Sequence, residues 1–293
     1  MADTVHSGDM SSELTHFRGL WETRGNSPVN HSPEIWDERA QEWIDDLEAD
    51  GDDSHSTIAR ASATAEYLRW RGLLKAADTV VDVGCGPGAF VAEFAKSVYH
   101  ATGIDYSARF IDFAAGYATE RGVSNTTFAR HDFFALDIAA AGYERAFDLV
   151  FTSITPASSG KGCLEKLMRM SRAHCNNVSF VHAGDSLAER VTRDVFGHDF
   201  RPRWDGAGFY TMTNLLWLEG FYPETYYYDD VRDETVQPSL RSASECAQLC
   251  RHYDEEDVKK VLNYMEKLGT IERHTEFRYG SILWNVNRQD KRK

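Results

Sequence analysis

"VVDVGCGPGAF", residues Val80 to Phe90, decides how this chain is read. An apolar run opening at Val80 stops at Gly84, and glycine returns at every second position, at Gly86 and Gly88. Glycine at a strand-to-helix turn has three uses. It permits positive φ, it lets a ligand approach the backbone, and it lets the helix pack closely on the strand. The first N–H groups of that helix have no partners within it and face whatever lies over the turn. A tight turn without a ligand stays open on the glycines alone.

The segments around this stretch narrow the choice. "TVVDVG" reads as a short strand from residue 79, and "GAFVAEFAKSV" as a helix with Phe90, Val91, Phe94 and Val98 apolar. "YHATGIDYS" is a strand ending in an acid, "ARFIDFAAGYATERG" a helix closed by Gly122, and "TTFARHDFF" a third strand. "FDLVFTS" (147–153) is a fourth strand, "CLEKLMRMSRAHC" a helix and "NVSFVHAG" (177–184) a fifth strand. Strands alternating with helices of this length build right-handed βαβ units, and so a parallel sheet covered on both faces.

Upstream, residues 1–32 are polar and read as a loosely ordered segment. "SPEIWDERAQEWIDDLEA" then carries a capping Ser32, a first-turn Pro33, and Trp36, Ala40 and Trp43 at helical spacing; "DGDDSHS" (50–56) breaks that helix. A second helix is read over 56–74, with Ile58, Ala61, Ala65, Leu68 and Leu73 near one face. Downstream, "DSLAERVTRDVFG" and "TMTNLLWLEGF" are helical, "YPETYYYDD" and "RYGSILWNVN" are strands, and two helices lie between those strands.

Three acids end or approach the carboxyl ends of successive strands. Asp82 lies two residues before Gly84, Asp105 lies 17 beyond Gly88, and Asp132 ends the third strand. Asp105 is near the spacing at which an acid accepts hydrogen bonds from ribose hydroxyls. An acid placed like Asp132 can accept from an exocyclic adenine amine. One such acid is an ordinary loop residue, but three beside one glycine turn mark the edge where open parallel sheets bind ligands.

In order and spacing, "VVDVGCGPGAF", "TGIDYS", "ARHDFF" and "FDLVFTS" resemble the cofactor segments of class I S-adenosylmethionine-dependent methyltransferases. The likeness is strong over 78–184 and architectural over 36–77 and 205–287. It implies an α/β, Rossmann-like sheet of seven mostly parallel strands with an antiparallel last strand, helices on both faces, and a helical lid. It implies a domain over 33–293: an N-terminal helical cap (33–77), a cofactor-binding core (78–184), and the rest of the sheet (185–293) with a helical insertion at about 235–270. "WDERAQEW" is similar to the helix that often closes over the cofactor in this family.

The implied cofactor is S-adenosylmethionine. Gly84, Gly86 and Gly88, with Cys85 and Pro87 between them, would meet its amino-acid part, with Asp82 nearby. Asp105 would hold the ribose, with Tyr106 and Ser107 following. Asp132 and Phe133 would hold and pack on the adenine, and Thr152 would line the methyl-transfer side. The rival is a nicotinamide dinucleotide, because "GCGPGA" also fits G-x-G-x-x-G/A ending at Ala89. The extra Gly88, Asp82 within the strand, and Asp132 are not required by that pattern.

Methyl transfer from a sulfonium needs positioning more than a catalytic triad, so no catalytic residue is named. "TSITPASSGKG" follows the fourth strand, and Ser153, Thr155 and Pro156 are candidate substrate contacts. His182, Tyr210 and His131 are further site candidates, each with a purely structural alternative. The family's Asn/Asp-Pro-Pro-Tyr-like signature for amide or base nitrogens is absent from that loop. Trp204, Phe209, Tyr210, Trp217, Phe221, Tyr222 and Tyr226–Tyr228 are read mainly as core, with an apolar pocket or a subunit interface as the other reading.

The 293 residues carry a net charge of −14, which disfavours nucleic acid as a partner. No apolar run suits a membrane span, and no basic-then-apolar leader opens the chain. The five cysteines lack metal spacing and are read as reduced thiols, with no metal and a cytoplasmic location expected. The expectation is methyl transfer to a small molecule. A non-catalytic S-adenosylmethionine-binding regulator or partner subunit and a protein or peptide methyltransferase are the alternatives. The oligomeric state is open.

Overall fold

The computed structural model describes residues 10–24, 32–49, 57–202, 205–250, 252 and 254–287. Three helices come first: α1 (Met10–Arg24), α2 (Pro33–Ala49) and α3 (Thr57–Trp70). Then follow β1 (Thr79–Val83), α4 (Ala89–Ala95), β2 (His100–Asp105), α5 (Ala108–Glu120), β3 (Thr126–Arg130), β4 (Phe147–Ser153), α6 (Cys163–Met170) and β5 (Ser171–Asp185). The chain ends with α7 (Ser186–Asp194), α8 (Ala207–Leu218), β6 (Glu224–Val236), α9 (Leu240–Leu249), α10 (Glu255–Leu268) and β7 (Ile271–Asn285).

The strands form one sheet in the order β3-β2-β1-β4-β5-β7-β6. The pairs β1–β2, β1–β4, β2–β3 and β4–β5 are parallel. β7 runs the other way. Asn285, Val286 and Asn287 bond to His174, Ala173 and Arg172, so numbers rise on one strand as they fall on the other. The same holds on its far side, where Arg278, His274 and Arg273 meet Asp229, Asp233 and Glu234 of β6. β1, β2 and β4 are buried almost throughout, as strands covered on both faces must be.

The chain divides into two compact units. The first comprises Met1–Val178, Thr211–Thr225 and Ser281–Lys293. Its core includes Val81, Phe94, Phe151 and Leu68, and Phe90, Phe94 and Phe151 pack ring on ring at 5.0–6.1 Å. The second comprises Ser179–Tyr210 and Tyr226–Gly280. There α7, α9 and α10 bury Leu187, Val191, Ala247, Val261 and Met265 around one core. The helices α9 and α10 lie within residues 235–270.

Four expectations change. The segment 1–32 contains the helix α1, and residues 1–9 and 25–31 lie outside the described residues. The helix expected through Cys175 stops at Met170, and β5 begins at Ser171. Ser171 is buried, and its hydroxyl donates to the His174 carbonyl while the chain joins β4. Pairing thus outweighs the helical preference of "SRAHC". β6 and β7 are also longer than read. Of the late aromatics, Phe209 and Phe221 are buried, but Tyr210, Trp217, Tyr222, Tyr226 and Tyr227 are exposed. The last two lie on β6, the end strand of the sheet among the described residues. Trp204 and the 50–56 break lie outside the described residues.

Candidate cofactor site

The three glycines do three different things. Gly84 has φ +76°, and its N–H donates to the Ile104 carbonyl at 2.7 Å, tying the turn to β2. A Cβ on Gly84 would lie 2.1 Å from Thr155 Oγ1. Gly86 has φ +51°, and a Cβ there would meet nothing within 4 Å. Gly88 has φ +89° and caps α4; a Cβ would lie 2.7 Å from Ala114 Cβ on α5. Gly84 therefore admits Thr155, Gly88 admits α5, and Gly86 leaves open space over the backbone. Gly103 of β2 is a fourth, unforeseen member: its missing Cβ makes room for Cys85 Sγ and the Phe128 ring.

Asp105 joins the turn to α5. Its Oδ2 accepts the Gly86 N–H and its Oδ1 the Ser107 N–H, both at 2.9 Å. Burial pushes its carboxyl above the usual range, with those amides pulling the other way. Ser107 caps α5 by accepting the Phe110 N–H, and it donates to the Asp37 carboxylate of α2. Ala40, Ile44 and Phe110 close a small core between α2 and α5. That docking brings Trp36 and Trp43 to the site.

On the far side, Asp132 Oδ1 accepts the Phe134 N–H at 2.9 Å and so shapes the turn after β3. Lys166 donates to the carbonyls of Phe133 and Phe134 and sits 5.6 Å from the Phe133 ring. His131 Nε2 lies 3.3 Å from the Tyr143 hydroxyl. After β4, Thr155 accepts the Ala157 N–H and starts a single 3-10 turn at Pro156. Ile154 between them has φ +50°, a region a β-branched residue enters only under constraint. Its N–H donates to the Val178 carbonyl at 2.9 Å, which holds it there.

Many of these residues border one cleft. Of the residues singled out in the sequence, Gly84, Gly86, Asp105, Tyr106, Asp132, Phe133, Ser153 and Thr155 border it. Pro156 and His131 do too. Trp36, Trp43, Phe110, Phe134 and Ile154 complete its apolar walls. Phe110, Phe134 and Ile154 were not foreseen, since an apolar residue carries no mark that separates a wall from a core.

Other candidates lie elsewhere. Gly88, Cys85, Pro87 and Ser107 are buried supports behind the cleft. Thr152 is buried within β4, where its hydroxyl accepts from Asn177 at 2.7 Å, so it does not line the cleft. Asp82 is buried in β1; burial, then the charge of Asp105, hold its carboxyl well above the usual range. Its Oδ1 has no hydrogen-bond partner among the described residues. His182 and Tyr210 are exposed residues of the second unit, while every described lining residue belongs to the first.

The residues fit an adenosyl cofactor. Gly86 offers backbone without a side chain, Asp105 keeps unused lone pairs on both oxygens, and aromatic walls flank the space. Among the described residues no group of three or more His, Cys, Asp or Glu is placed to hold a metal, and no helix is long and apolar enough to cross a membrane.

Residues 74–186 match the family model of the methyltransferase domain. The chain is similar to the 2-heptyl-1-hydroxyquinolin-4(1H)-one methyltransferase of Mycobacteroides abscessus, with 29% identity over 106 residues, 35% of this chain and 45% of that protein. The chain thus spans less than half the length of that curated relative. Among solved structures, it is similar to the magnesium protoporphyrin IX methyltransferase of Synechocystis PCC 6803 with bound S-adenosylhomocysteine (13% identity, TM-score 0.47, covering 92% of this chain and 99% of that one). It is also similar to an N-methyltransferase of Bradyrhizobium japonicum (14% identity, TM-score 0.43, covering 85% and 97%). Over residues 74–186, then, the chain is similar to the methyltransferase domain family.

Proposed function

We propose that this protein transfers a methyl group from S-adenosylmethionine to a small molecule. The observation that carries the reading is the pairing of an open backbone at Gly86 with the Asp105 carboxylate, inside a cleft walled by aromatic rings. Bound there, S-adenosylmethionine would supply a methyl group on a cationic sulfur. Asp105 would accept from the ribose hydroxyls, and Asp132 with Phe133 would take the adenine side. Trp36 and Trp43 of α2, with Phe110 of α5, would keep water from the cofactor.

Ser153, Ile154 and Thr155 border the cleft beside the turn and are the proposed neighbours of the acceptor. Thr155 is held by Ala157 and wedged against Gly84, so it positions rather than abstracts a proton. The assignment of a small acceptor draws support from the quinolone methyltransferase to which this chain is similar. Five buried thiols without a disulfide support a reducing compartment.

Calorimetric titration with S-adenosylmethionine, S-adenosylhomocysteine and NAD tests the cofactor. Binding of the first two, weakened by about 1–3 kcal/mol in Asp105→Ala, is expected. Binding of NAD alone, or unchanged affinity in a folded Asp105→Ala variant, would sink the reading. Tight cofactor binding with no turnover on any small acceptor would instead favour a non-catalytic binder.

A further inference from the structure

The peptide unit between Phe133 and Phe134 is gripped at both ends. Its carbonyl, on Phe133, accepts from the Lys166 ammonium at 2.9 Å. Its N–H, on Phe134, donates to Asp132 Oδ1 at 2.9 Å. A trans peptide points these two groups in opposite directions, so Lys166 and Asp132 face each other across one peptide plane. The Phe134 carbonyl accepts from the same ammonium at 2.8 Å, and the Phe133 ring lies 5.6 Å from it. An ammonium at the carbonyl end polarises the peptide and strengthens its N–H as a donor. The charge on α6 therefore acts on Asp132 through a single peptide.

A lysine on a helix commonly extends into water. Here the side chain is half-buried and bent onto the turn after β3. Ordering it costs conformational entropy, which charge-assisted bonds offset. Its helix is firmly seated, with Cys163, Leu164 and Leu167 buried beside it. The other flank of the turn is held too. The His131 N–H donates to the Asp105 carbonyl at 2.9 Å, and its ring meets the Tyr143 hydroxyl. His131, Asp132, Phe133 and Phe134 all border the cleft, whereas Lys166 is not among its described lining residues.

We infer that Lys166 is a positioning residue for the adenine half of the cofactor. It acts through the Phe133–Phe134 peptide on Asp132, and so sets the preference for a base that donates an exocyclic amine. The inference rests on S-adenosylmethionine as the cofactor, proposed above.

The test titrates the full-length protein by calorimetry with S-adenosylhomocysteine and with S-inosylhomocysteine, whose base carries an oxo group in place of that amine. Wild type is expected to prefer the first. Lys166→Met keeps a long side chain and removes the ammonium. It should weaken S-adenosylhomocysteine binding by about tenfold and narrow the preference. Lys166→Arg, which still donates to carbonyls, should restore most of both, and Lys166→Gln should fall between. In an Asp132→Ala background, Lys166→Met should narrow the preference no further. A general loss of stability would weaken both ligands alike and leave their ratio unchanged. A wild-type ratio in Lys166→Met, or in Lys166→Gln if the first variant does not fold by circular dichroism, would overturn the inference and leave the cofactor assignment standing. Equal affinity of the wild type for both ligands would do the same. Binding of neither ligand by the wild type would overturn the cofactor assignment itself, and this inference with it.

Discussion

Gly86 and Gly88 look alike in the sequence and differ in what surrounds them. Gly86→Ala strains a positive φ but meets no atom, so it should cost about 1–2 kcal/mol of stability. Gly88→Ala adds the 2.7 Å approach to Ala114 to a similar backbone strain, about 2–5 kcal/mol together. Chemical denaturation of the two variants should show that gap. Cofactor affinity should show the reverse order, with Gly86→Val abolishing binding in a folded protein.

Asp82 gives a second test. Its folded carboxyl titrates well above the usual carboxylate range, so between the unfolded and folded values the native state holds a proton that the unfolded chain has released. Stability therefore falls as pH rises from the unfolded value towards the raised folded one. Asp82→Asn should be more stable than wild type at neutral pH and should flatten that decline, read as denaturation midpoints across pH. Equal midpoints at neutral pH would contradict the burial argument.

Among the elements, α2 matters through one contact as well as one core. Asp37 reaches the capping Ser107 of α5, and Ala40 and Ile44 pack on Phe110. Ser107→Ala should cost about 1 kcal/mol through the lost cap. Asp37→Ala should cost less stability, since α5 keeps its cap, yet weaken cofactor binding by loosening Trp36 and Trp43. Thermal melts beside binding titrations separate the two effects. The helical character of α2 was plain from Trp36, Ala40 and Trp43, and so was its link to the site by resemblance. Its docking residue was not, because Asp37 is one of many acids on a charged helix and only α5 singles it out. β5 shows the same limit. "SRAHC" favours a helix locally, and its pairing partner on β4 lies more than twenty residues away.

Across the full chain, two compact units carry separate burdens. Met265 is fully buried in the core of α7, α9 and α10, whereas the described cleft lining lies wholly in the first unit. Met265→Ala should cost about 2–5 kcal/mol and lower the melting temperature. S-adenosylmethionine affinity measured well below that temperature should be unchanged. A matching loss of affinity would mean that the second unit shapes the cofactor site.

The sequence by itself determined the glycine turn, the alternation of strands and helices from Thr79 to Asp185, and the acids Asp105 and Asp132 at the strand ends. Each of these is written in a few neighbouring residues, where periodicity and turn chemistry act. Only the tertiary structure decided that Gly86 is the open glycine, that Thr152 turns away to Asn177, and that β7 lies between β5 and β6. It also brought Lys166 to Phe133 across 33 positions. These outcomes depend on what packs against a residue, and those partners, Ala114, Thr155 and Asn177 among them, lie far along the chain.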